Sequence, residues 1–318
     1  MDGRADVPLT NLDQPLFGDA SATKRDLVDY VETMGEQLLG ELRDRPLSVV
    51  RALRGRKPFM QKNVPSYAPP WVETVTIWAE RSKRDVAYAL CNDPRTLLWF
   101  ANQRAIEYHP TLVRGDSHGF AQTHLVLDLD PPAEAGFGAV VRVAELVRRA
   151  LADAGLEGAV KTSGAKGLHV FVPIAQPARA EEIAAATRAL AVRAERLDPQ
   201  VATTAFVVDE RRGKVFIDAT RAGGATVVAA YSPRIRPHTP VSFPVSWDEL
   251  GRVAPSDFTI RTVPALLQGG NPWADRLPNP QALPADLIEE GRGIPVGRVL
   301  AMHEGKRRAR EARRRAGP

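Results

Sequence analysis

Residues 124–132, HLVLDLDPP, decide the fold of this chain. Leucines alternate with other residues, which predicts a β-strand whose successive side chains point to opposite faces. The leucines form one face and require a core, while Val126, Asp128 and Asp130 form the other. Two neighbouring carboxylates repel each other unless a cation lies between them, and carboxylate oxygens suit Mg²⁺ or Mn²⁺. The stretch is therefore either a metal-binding strand or a strand that ends in a solvated Asp-Pro turn.

The composition is that of a water-soluble globular protein with one large domain or two modest ones. The chain contains no apolar run near the ~20 residues that cross a bilayer, and we expect neither a signal peptide nor a membrane contact. Cys91 is the single cysteine, which excludes an intrachain disulfide and a cysteine-built zinc site and predicts a cytoplasmic location.

The net charge of +5 is concentrated at the carboxyl end. Residues 303–318 contain seven Lys or Arg residues against Glu304 and Glu311, so the rest of the chain is neutral. Such a tail either grips nucleic-acid phosphates without reading sequence or forms a solvated, frayed helix.

The amino-terminal third combines helices and strands. Thr23 caps a predicted helix of about twenty residues, with Asp26 at the capping-box position. Residues 47–53 and 72–79 are predicted strands, and residues 82–102 are predicted to be helical with an interruption near Pro94.

The pattern from residue 124 onward is β-α-β-β-α-β. After the first strand, the predicted elements are a helix at 137–154, strands at 159–163 and 168–174, a helix at 180–197 and a strand at 214–218. This order is typical of the split βαβ or ferredoxin-like unit, in which both helices cover one sheet face. We therefore predict an α+β protein with a ferredoxin/RRM-like βαββαβ core and an amino-terminal α/β module packed on the open sheet face.

Alternation places acidic side chains from distant segments on that open face. Asp128 and Asp130 come from the first strand, His169 from the third and Asp218 from the fourth. Three aspartates near one point can hold two divalent ions, which is the arrangement for in-line phosphoryl or nucleotidyl transfer.

Two further segments carry groups that suit a triphosphate. The turn from Ser163 to Gly167 offers backbone N–H groups, a hydroxyl and the Lys166 ammonium, although a plain glycine-containing hairpin with a solvated lysine has the same pattern. His169 would be a phosphate donor beside this cradle or a structural histidine. Arg234 or Arg236 would clamp phosphate or form a surface salt bridge.

These motifs resemble those of the archaeo-eukaryotic primase superfamily, and most closely the polymerase domain of bacterial ligase D. The resemblance extends from Asn11 to Trp273. It rests on residues 125–132 (LVLDLDPP), 161–169 (KTSGAKGLH) and 215–218 (VFID), with 98–103 (LWFANQ), 107–110 (EYHP), 231–234 (YSPR) and 271–274 (NPWA) in the same order.

The resemblance implies a role for each matching residue. The implied metal ligands and catalytic residues are Asp128, Asp130 and Asp218. The implied nucleotide-binding residues are Ser163, Lys166, Gly167, His169, Arg234, His109 and Lys62. The implied DNA-binding residues are Asn11 and Lys24. The further DNA-binding candidates are Gln14, Arg51, Phe59 and Met60, of which Phe59 and Met60 lie in a loop (54–62) whose length departs from the family. Gln14 stands where the family has a lysine, which predicts weaker recognition of a downstream 5′-phosphate. Phe59 and Met60 would stack against template bases or form a minor local core.

The resemblance also implies an activity and its partners. We expect template-directed nucleotide addition with a ribonucleotide preference at short gaps or DNA ends, using two Mn²⁺ or Mg²⁺ ions and NTP or dNTP substrates. The expected organisation is an amino-terminal α/β module (1–120), a catalytic core (121–265) and a carboxyl-terminal wrap with a basic tail (266–318), in one monomeric unit. No Lys-x-Asp-Gly ligase motif is present, so we expect a stand-alone bacterial, nucleoid-associated enzyme with a separate ligase and an end-binding repair protein as partners.

Two other functions are compatible with parts of the pattern. A haloacid-type phosphatase also ends a strand in Asp-x-Asp, and it would use Asp128 as nucleophile and Asp130 as acid. A non-catalytic RNA-binding module of the same topology would expose aromatic side chains on its sheet, for which Phe171 and Phe216 are the candidates.

Overall fold

The structure, a computed structural model, describes residues 7–18, 21–79, 83–116, 119–222, 225–267 and 270–297. The basic tail falls outside these ranges. The helices are α1 (Lys24–Thr33), α2 (Gly35–Leu42), α3 (Pro94–Asn102), α4 (Phe137–Asp153), α5 (Ala180–Leu197), α6 (Val263–Leu267), α7 (Pro272–Arg276) and α8 (Ala285–Arg292). Short 3₁₀ helices span Val208–Glu210, Trp247–Arg252 and Pro255–Asp257.

The strands form two sheets and a hairpin. The amino-terminal sheet contains β1 (Leu47–Arg51), β2 (Phe59–Gln61), β3 (Thr74–Ala79), β4 (Arg84–Ala89) and β5 (Ala105–Pro110). The hairpin consists of β6 (Val113–Asp116) and β7 (Gly119–Gln122). The second sheet contains β8 (His124–Asp130), β9 (Ala159–Thr162), β10 (Leu168–Pro173), β11 (Ala202–Thr203), β12 (Val215–Asp218) and β13 (Pro244–Val245). The predicted mixture of helices and strands is therefore present.

The first helical segment is capped as predicted but is interrupted. The Thr23 hydroxyl accepts a hydrogen bond from the Asp26 backbone N–H, and the Asp26 carboxylate accepts from the Thr23 backbone N–H, which completes the capping box. The predicted helix of about twenty residues is wrong in its continuity, because the chain leaves helical geometry at Met34 (φ −94°, ψ 11°) and α2 restarts at Gly35. Glycine is a poor residue for helix interiors, which is consistent with a break here.

The prediction of a helix over residues 82–102 is wrong in its first half. Residues 84–89 form β4, which pairs antiparallel with β3 from Thr74↔Ala89 to Ala79↔Arg84. The ladder supplies backbone partners that a short helix would have to find locally. Pro94 does not interrupt a helix but begins one, at a position where its missing N–H costs nothing, and the Asp93 side chain caps it.

The second sheet has the strand order β11-β12-β8-β10-β9-β13. Helices α4 and α5 contact it and each other on one face. Their predicted inward residues are all buried, namely Val140, Ala144, Val147 and Leu151 in α4 and Ile183, Thr187, Leu190 and Ala194 in α5. The predicted apolar stripes are thus confirmed.

The opposite sheet face is covered at one end and forms a cleft at the other. The Trp273 ring packs edge-on against Phe171, with 5.3 Å between centroids, and its indole N–H donates to Glu41 in α2 at 3.0 Å. The α1 side chain of Tyr30 donates to the Tyr231 carbonyl at 2.7 Å. The amino-terminal helices therefore reach this face through residues of the carboxyl-terminal half, rather than by direct contact alone. Among the residues that the structure describes, no helix is long and apolar enough to cross a bilayer.

We predict that Tyr30→Phe destabilises the protein by about 1–2 kcal/mol, because it leaves the buried Tyr231 carbonyl without a partner. Denaturant unfolding monitored by far-UV circular dichroism measures the change. Tyr88→Phe is the matched control, since that side chain is half-buried and its hydroxyl makes no hydrogen bond to the described residues, and its effect should stay below about 0.5 kcal/mol. Equal effects of the two variants would contradict the assigned role of the Tyr30 contact.

Candidate active site

Four polar residues form a continuous row across four neighbouring strands. Asp218 on β12 pairs with Asp128 on β8, Asp128 pairs with His169 on β10, and His169 pairs with Lys161 on β9. Directly paired residues of antiparallel strands share a face, with β-carbons about 5 Å apart. The row therefore brings two carboxylates, an imidazole and an ammonium group together on the face opposite α4 and α5. We refer to these residues as the cross-strand row.

Asp128 is the most strongly paired carboxylate of the row. Its Oδ1 lies 3.3 Å from His169 Nε2, and its Oδ2 accepts a hydrogen bond from Arg221 Nη2 at 2.9 Å. Burial opposes ionisation of Asp128, but His169 and Arg221 outweigh it and hold the pKa well below its usual range. Asp128 is therefore ionised at neutral pH.

Arg221 is a functional candidate that sequence analysis missed. Its Nε lies 3.4 Å from Asp218 Oδ2 without the alignment of a hydrogen bond, so the guanidinium spans Asp128 and Asp218. Its position three residues after Asp218 was the available signal, because a cation at that spacing can fold back over the strand end.

Asp130 experiences the opposite environment from Asp128. Asp130 is exposed at the end of β8, yet partial desolvation of its carboxyl group, followed by repulsion from Asp128 and Asp218, raises the pKa of Asp130 to about 6. Its pairing partner on β12 is Phe216 rather than a charged residue. The three aspartates together thus carry more negative charge than Arg221 compensates.

The donor set fits a divalent cation in its chemistry. Three carboxylates offer hard oxygen ligands, and the excess negative charge favours a cation more highly charged than a guanidinium. Among the described residues, no group of three or more His, Cys, Asp or Glu side chains is arranged so that it could hold a metal ion as it stands. Arg221 bridges Asp128 and Asp218, so a metal ion bound by both carboxylates would have to displace the guanidinium.

The predicted phosphate cradle is a tight turn organised by Ser163. The Ser163 Oγ accepts hydrogen bonds from the N–H groups of Gly167 at 3.1 Å and Ala165 at 3.3 Å, which leaves its own hydroxyl proton to donate. A β-carbon on Gly167 would lie 2.3 Å from the Leu129 carbonyl oxygen, so only glycine lets the turn approach β8 this closely. Lys166 lines the cleft and donates to the Ala133 carbonyl at 2.6 Å.

Arg234 and His109 are held together by Glu107. The Glu107 Oε2 lies 2.9 Å from His109 Nε2 and 3.2 Å from Arg234 Nε, and Oε1 accepts from the Ile235 N–H at 2.9 Å. Burial opposes the ionisation of Glu107, but these partners lower its pKa to about 2. Arg234 also donates to the Ser163 carbonyl. Glu107 belongs to the EYHP motif (107–110) that the sequence analysis identified, but no role was predicted for it.

A single cleft of about 1040 Å³ joins these groups. The predicted site residues that line it are Asp128, Asp130, Ser163, Lys166, Gly167, His169, Arg234, His109 and Met60. Asp218 is reached from the cleft through its contact with Arg221, which lines it. Arg236, the alternative clamp, also lines the cleft and is exposed, whereas Arg234 is half-buried.

The predicted 5′-phosphate residues lie together outside the cleft lining. The Gln14 N–H donates to the Asn11 carbonyl at 3.2 Å, and the Lys24 N–H donates to the Gln14 carbonyl at 2.8 Å. The Lys24 ammonium is buried and donates at 2.6 Å to both the Thr10 carbonyl and Asn102 Oδ1. Burial, followed by repulsion from Arg104, lowers the pKa of Lys24 to about 8.

The remaining predicted contacts surround β2. Phe59 and Met60 are exposed there, so the local-core interpretation of the pair is wrong. Arg51 is buried and its guanidinium is used internally, since it donates to the Gln103 carbonyl, Gln61 and Tyr67. Lys62 is exposed and does not line the cleft, so the structure gives no support to its predicted nucleotide contact.

The aromatic residues expected of an RNA-binding sheet are not exposed. Phe171 is 7% exposed and lies against Trp273, and Phe216 is 3% exposed with the Arg211 guanidinium 3.8 Å from its ring centroid. The prediction that these rings offer a stacking surface is wrong. A nucleophilic Asp128 is also disfavoured, because both of its carboxylate oxygens are occupied by His169 and Arg221.

Comparisons with known proteins identify the family. The model of the LigD primase-polymerase domain matches residues 23–273, and the chain belongs to this family. The LigD multifunctional non-homologous end joining DNA repair protein of Mycobacterium tuberculosis is 34% identical over 254 residues, which cover 77% of this chain and 33% of that protein. The bifunctional LigD of Bacillus subtilis is 32% identical over 288 residues, covering 89% and 46%. The chain thus spans between a third and a half of these relatives.

A solved structure has the same fold. It is described as the polymerase domain from Mycobacterium tuberculosis ligase D in complex with DNA, and it superposes with a TM-score of 0.76 at 32% sequence identity. The match covers 85% of this chain and 97% of that domain. The predicted relationship to the ligase D polymerase domain is therefore confirmed.

We predict that neutralising the two neighbouring aspartates changes stability in opposite directions. The raised pKa of Asp130 means that the folded state loses stability as pH rises from the ordinary aspartate range through about 6. Asp130→Asn should therefore raise Tm at pH 7.5 in chelator, with the gain disappearing near pH 4. Asp128→Asn should lower Tm at pH 7.5, because it breaks a buried ion pair with Arg221.

Differential scanning fluorimetry across pH 4–8 measures both effects. A gain for Asp128→Asn or a loss for Asp130→Asn at pH 7.5 would contradict the charge assignment.

Proposed function

We propose that this protein is a template-dependent nucleotidyltransferase, a primase-polymerase of end-joining DNA repair. It would add nucleotides, preferentially ribonucleotides, to a 3′-hydroxyl at short gaps or DNA ends. The observation that carries the proposal is the cross-strand row: its Asp128 and His169 line one cleft with the Ser163–Gly167 turn, and its Asp218 pairs with Asp128. Membership of the LigD primase-polymerase family supports it.

The aspartates would hold the metal ions. Asp128, Asp130 and Asp218 would bind two Mn²⁺ or Mg²⁺ ions after Arg221 has moved away from Asp128 and Asp218. When bound, such ions lower the pKa of the attacking hydroxyl and neutralise charge on the triphosphate and the leaving pyrophosphate.

The protein's own groups would hold the triphosphate. The Ser163 hydroxyl has a free proton to donate, Lys166 supplies a positive charge at the cleft wall, and Arg234 supplies a planar guanidinium. Glu107 would orient both Arg234 and His109, so that His109 faces the nucleotide sugar while Arg234 faces the phosphates.

DNA would bind along the amino-terminal part. Asn11, Gln14 and Lys24 form one cluster suited to a downstream 5′-phosphate, and the exposed pair Phe59 and Met60 suits stacking on template bases. Gln14 contributes no charge there, and Lys24 is already held by internal acceptors.

We further propose the domain organisation that this function needs. The strand order β12-β8-β10-β9, with α4 and α5 on one face, supports a ferredoxin-like βαββαβ catalytic core within residues 121–265. Residues 1–120 and the segment after 265 would complete one monomeric polymerase unit, through contacts such as Tyr30 with Tyr231 and Glu41 with Trp273. An end-binding repair protein and a DNA ligase would be its partners.

We predict that Asp128→Ala and Asp218→Ala each abolish nucleotide incorporation into a gapped duplex and the stabilisation of the protein by Mn²⁺. Asp209→Ala is the matched control, because this aspartate is exposed and lies outside the cleft lining. Primer extension with ribo- and deoxynucleotides, with and without chelator, measures the activity, and thermal unfolding in MnCl₂ measures the binding.

Retained incorporation by Asp218→Ala would reject the proposed chemistry. Template-independent hydrolysis of a phosphomonoester, lost in Asp128→Ala, would favour the phosphatase instead. Nucleic-acid binding without incorporation, and unaffected by chelator, would favour a binding module.

We predict that Gln14→Lys tightens binding to a gap with a 5′-phosphate about tenfold, since a charge-assisted hydrogen bond contributes about 1.5–3 kcal/mol. Fluorescence anisotropy with 5′-phosphate and 5′-hydroxyl gaps measures the difference. Asp13→Asn changes the net charge by the same amount at an exposed neighbouring position and should affect both gaps equally. No preferential gain for the phosphorylated gap would contradict this placement of the phosphate.

A further inference from the structure

Lys161 is a buried charged residue that the proposed function does not use. Its side chain is 0% exposed and sits at the end of the cross-strand row, paired with His169. The Nζ atom lies 2.9 Å from His169 Nδ1, 2.9 Å from the Val228 carbonyl oxygen and 2.6 Å from Ser242 Oγ. An ammonium group has three protons to donate, and these three partners match that number.

Two of those partners can only accept a hydrogen bond from Lys161, because neither has a proton to donate to it. The Val228 carbonyl has no proton to give, and the Ser242 hydroxyl proton goes to the Thr162 carbonyl at 2.7 Å. The third proton of the ammonium therefore points at His169 Nδ1, which must be the unprotonated nitrogen of the ring.

The other side of the imidazole leads to the same protonation pattern. His169 Nε2 lies 3.3 Å from Asp128 Oδ1, and an ionised carboxylate only accepts. A bare Nε2 would place a lone pair against that carboxylate. The proton of a neutral ring is thus favoured on Nε2 by Asp128 and excluded from Nδ1 by Lys161.

The same contacts keep the ring neutral. Because Nδ1 accepts the third proton of the Lys161 ammonium, the imidazole carries a single proton, and that proton lies on Nε2 beside Asp128.

We propose that Lys161 is a positioning residue that fixes His169 as the neutral tautomer with its proton on Nε2, directed at Asp128 and the cleft. His169 then offers one hydrogen-bond donor without adding charge. That this donor serves a nucleotide phosphate rests on the proposed function, whereas the tautomer itself does not.

The tautomer is tested by two-bond ¹H–¹⁵N correlation spectra of full-length protein labelled at histidine, with His169→Gln used for assignment. The wild type should show the Nε2–H pattern with an unprotonated Nδ1. Lys161→Met should convert it to a mixture of tautomers. Ser242→Ala is the matched control, because it removes a neighbouring acceptor but keeps the contact between Lys161 and His169, so the Nε2–H pattern should persist.

Three results would overturn the proposal. They are an Nδ1–H or doubly protonated His169 in the wild type, an unchanged pattern in Lys161→Met, and loss of the pattern in Ser242→Ala. The wild-type spectrum decides the matter even where Lys161→Met fails to fold.

Nucleotide binding gives a second readout. Lys161→Met should weaken the Kd for NTP in the presence of Mn²⁺ about tenfold, as expected for one lost hydrogen bond to a charged group, with Ser242→Ala changed less than twofold. A mixed tautomer with an unchanged Kd would overturn the positioning role. Failure of the wild type to bind NTP would reject the proposed function alone, because the tautomer is measured without nucleotide.

Discussion

The pairing of β12, β8, β10 and β9 is the constraint on which the rest of the structure depends. Because directly opposed residues of antiparallel strands share a face, the register Asp218↔Asp128↔His169↔Lys161 aligns two carboxylates, an imidazole and an ammonium. A shift of one residue in any strand would move its member to the helix side. The buried stripes of α4 and α5 hold the register from behind, and the turn that Gly167 permits lies at the end of the row.

The charges along the cross-strand row are balanced at the Lys161 end but not at the aspartate end. The Lys161 end is fully satisfied by internal acceptors, whereas the aspartate end carries three carboxylates against Arg221. This asymmetry explains why the pKa of Asp128 is lowered while the pKa of Asp130, two residues away, is raised. A shortage of positive charge around the aspartates costs folding stability, and the same shortage would favour a bound cation. Folding stability and the proposed metal binding would therefore oppose each other at this end of the sheet.

The elements that were predicted correctly are those whose local signals and tertiary environment agree. Helices α4 and α5 have long apolar stripes of helical period, and side chains on β8 and β10 alternate between the two sheet faces. The presence of these elements, and the face that each side chain takes, therefore follow from periodicity. Residues 84–89 are different, because their strand depends on the β3 ladder, which no local pattern reports. The break at Met34 directly precedes Gly35, a poor residue for a helix interior, but the apolar period continues across it and so does not report the break.

The candidate site divides in the same way. The sequence by itself determined the aspartate strand, the glycine turn and the face that each side chain takes, because a period of two and the steric freedom of glycine are local properties. Only the tertiary structure decided that Arg221 spans two carboxylates, that Glu107 joins His109 to Arg234, and that Lys161 faces His169. The contacts of Arg221 with Asp128 and of Glu107 with Arg234 join segments that are far apart in the chain, and the facing of Lys161 and His169 depends on strand register, so this geometry exists only once the strands have paired.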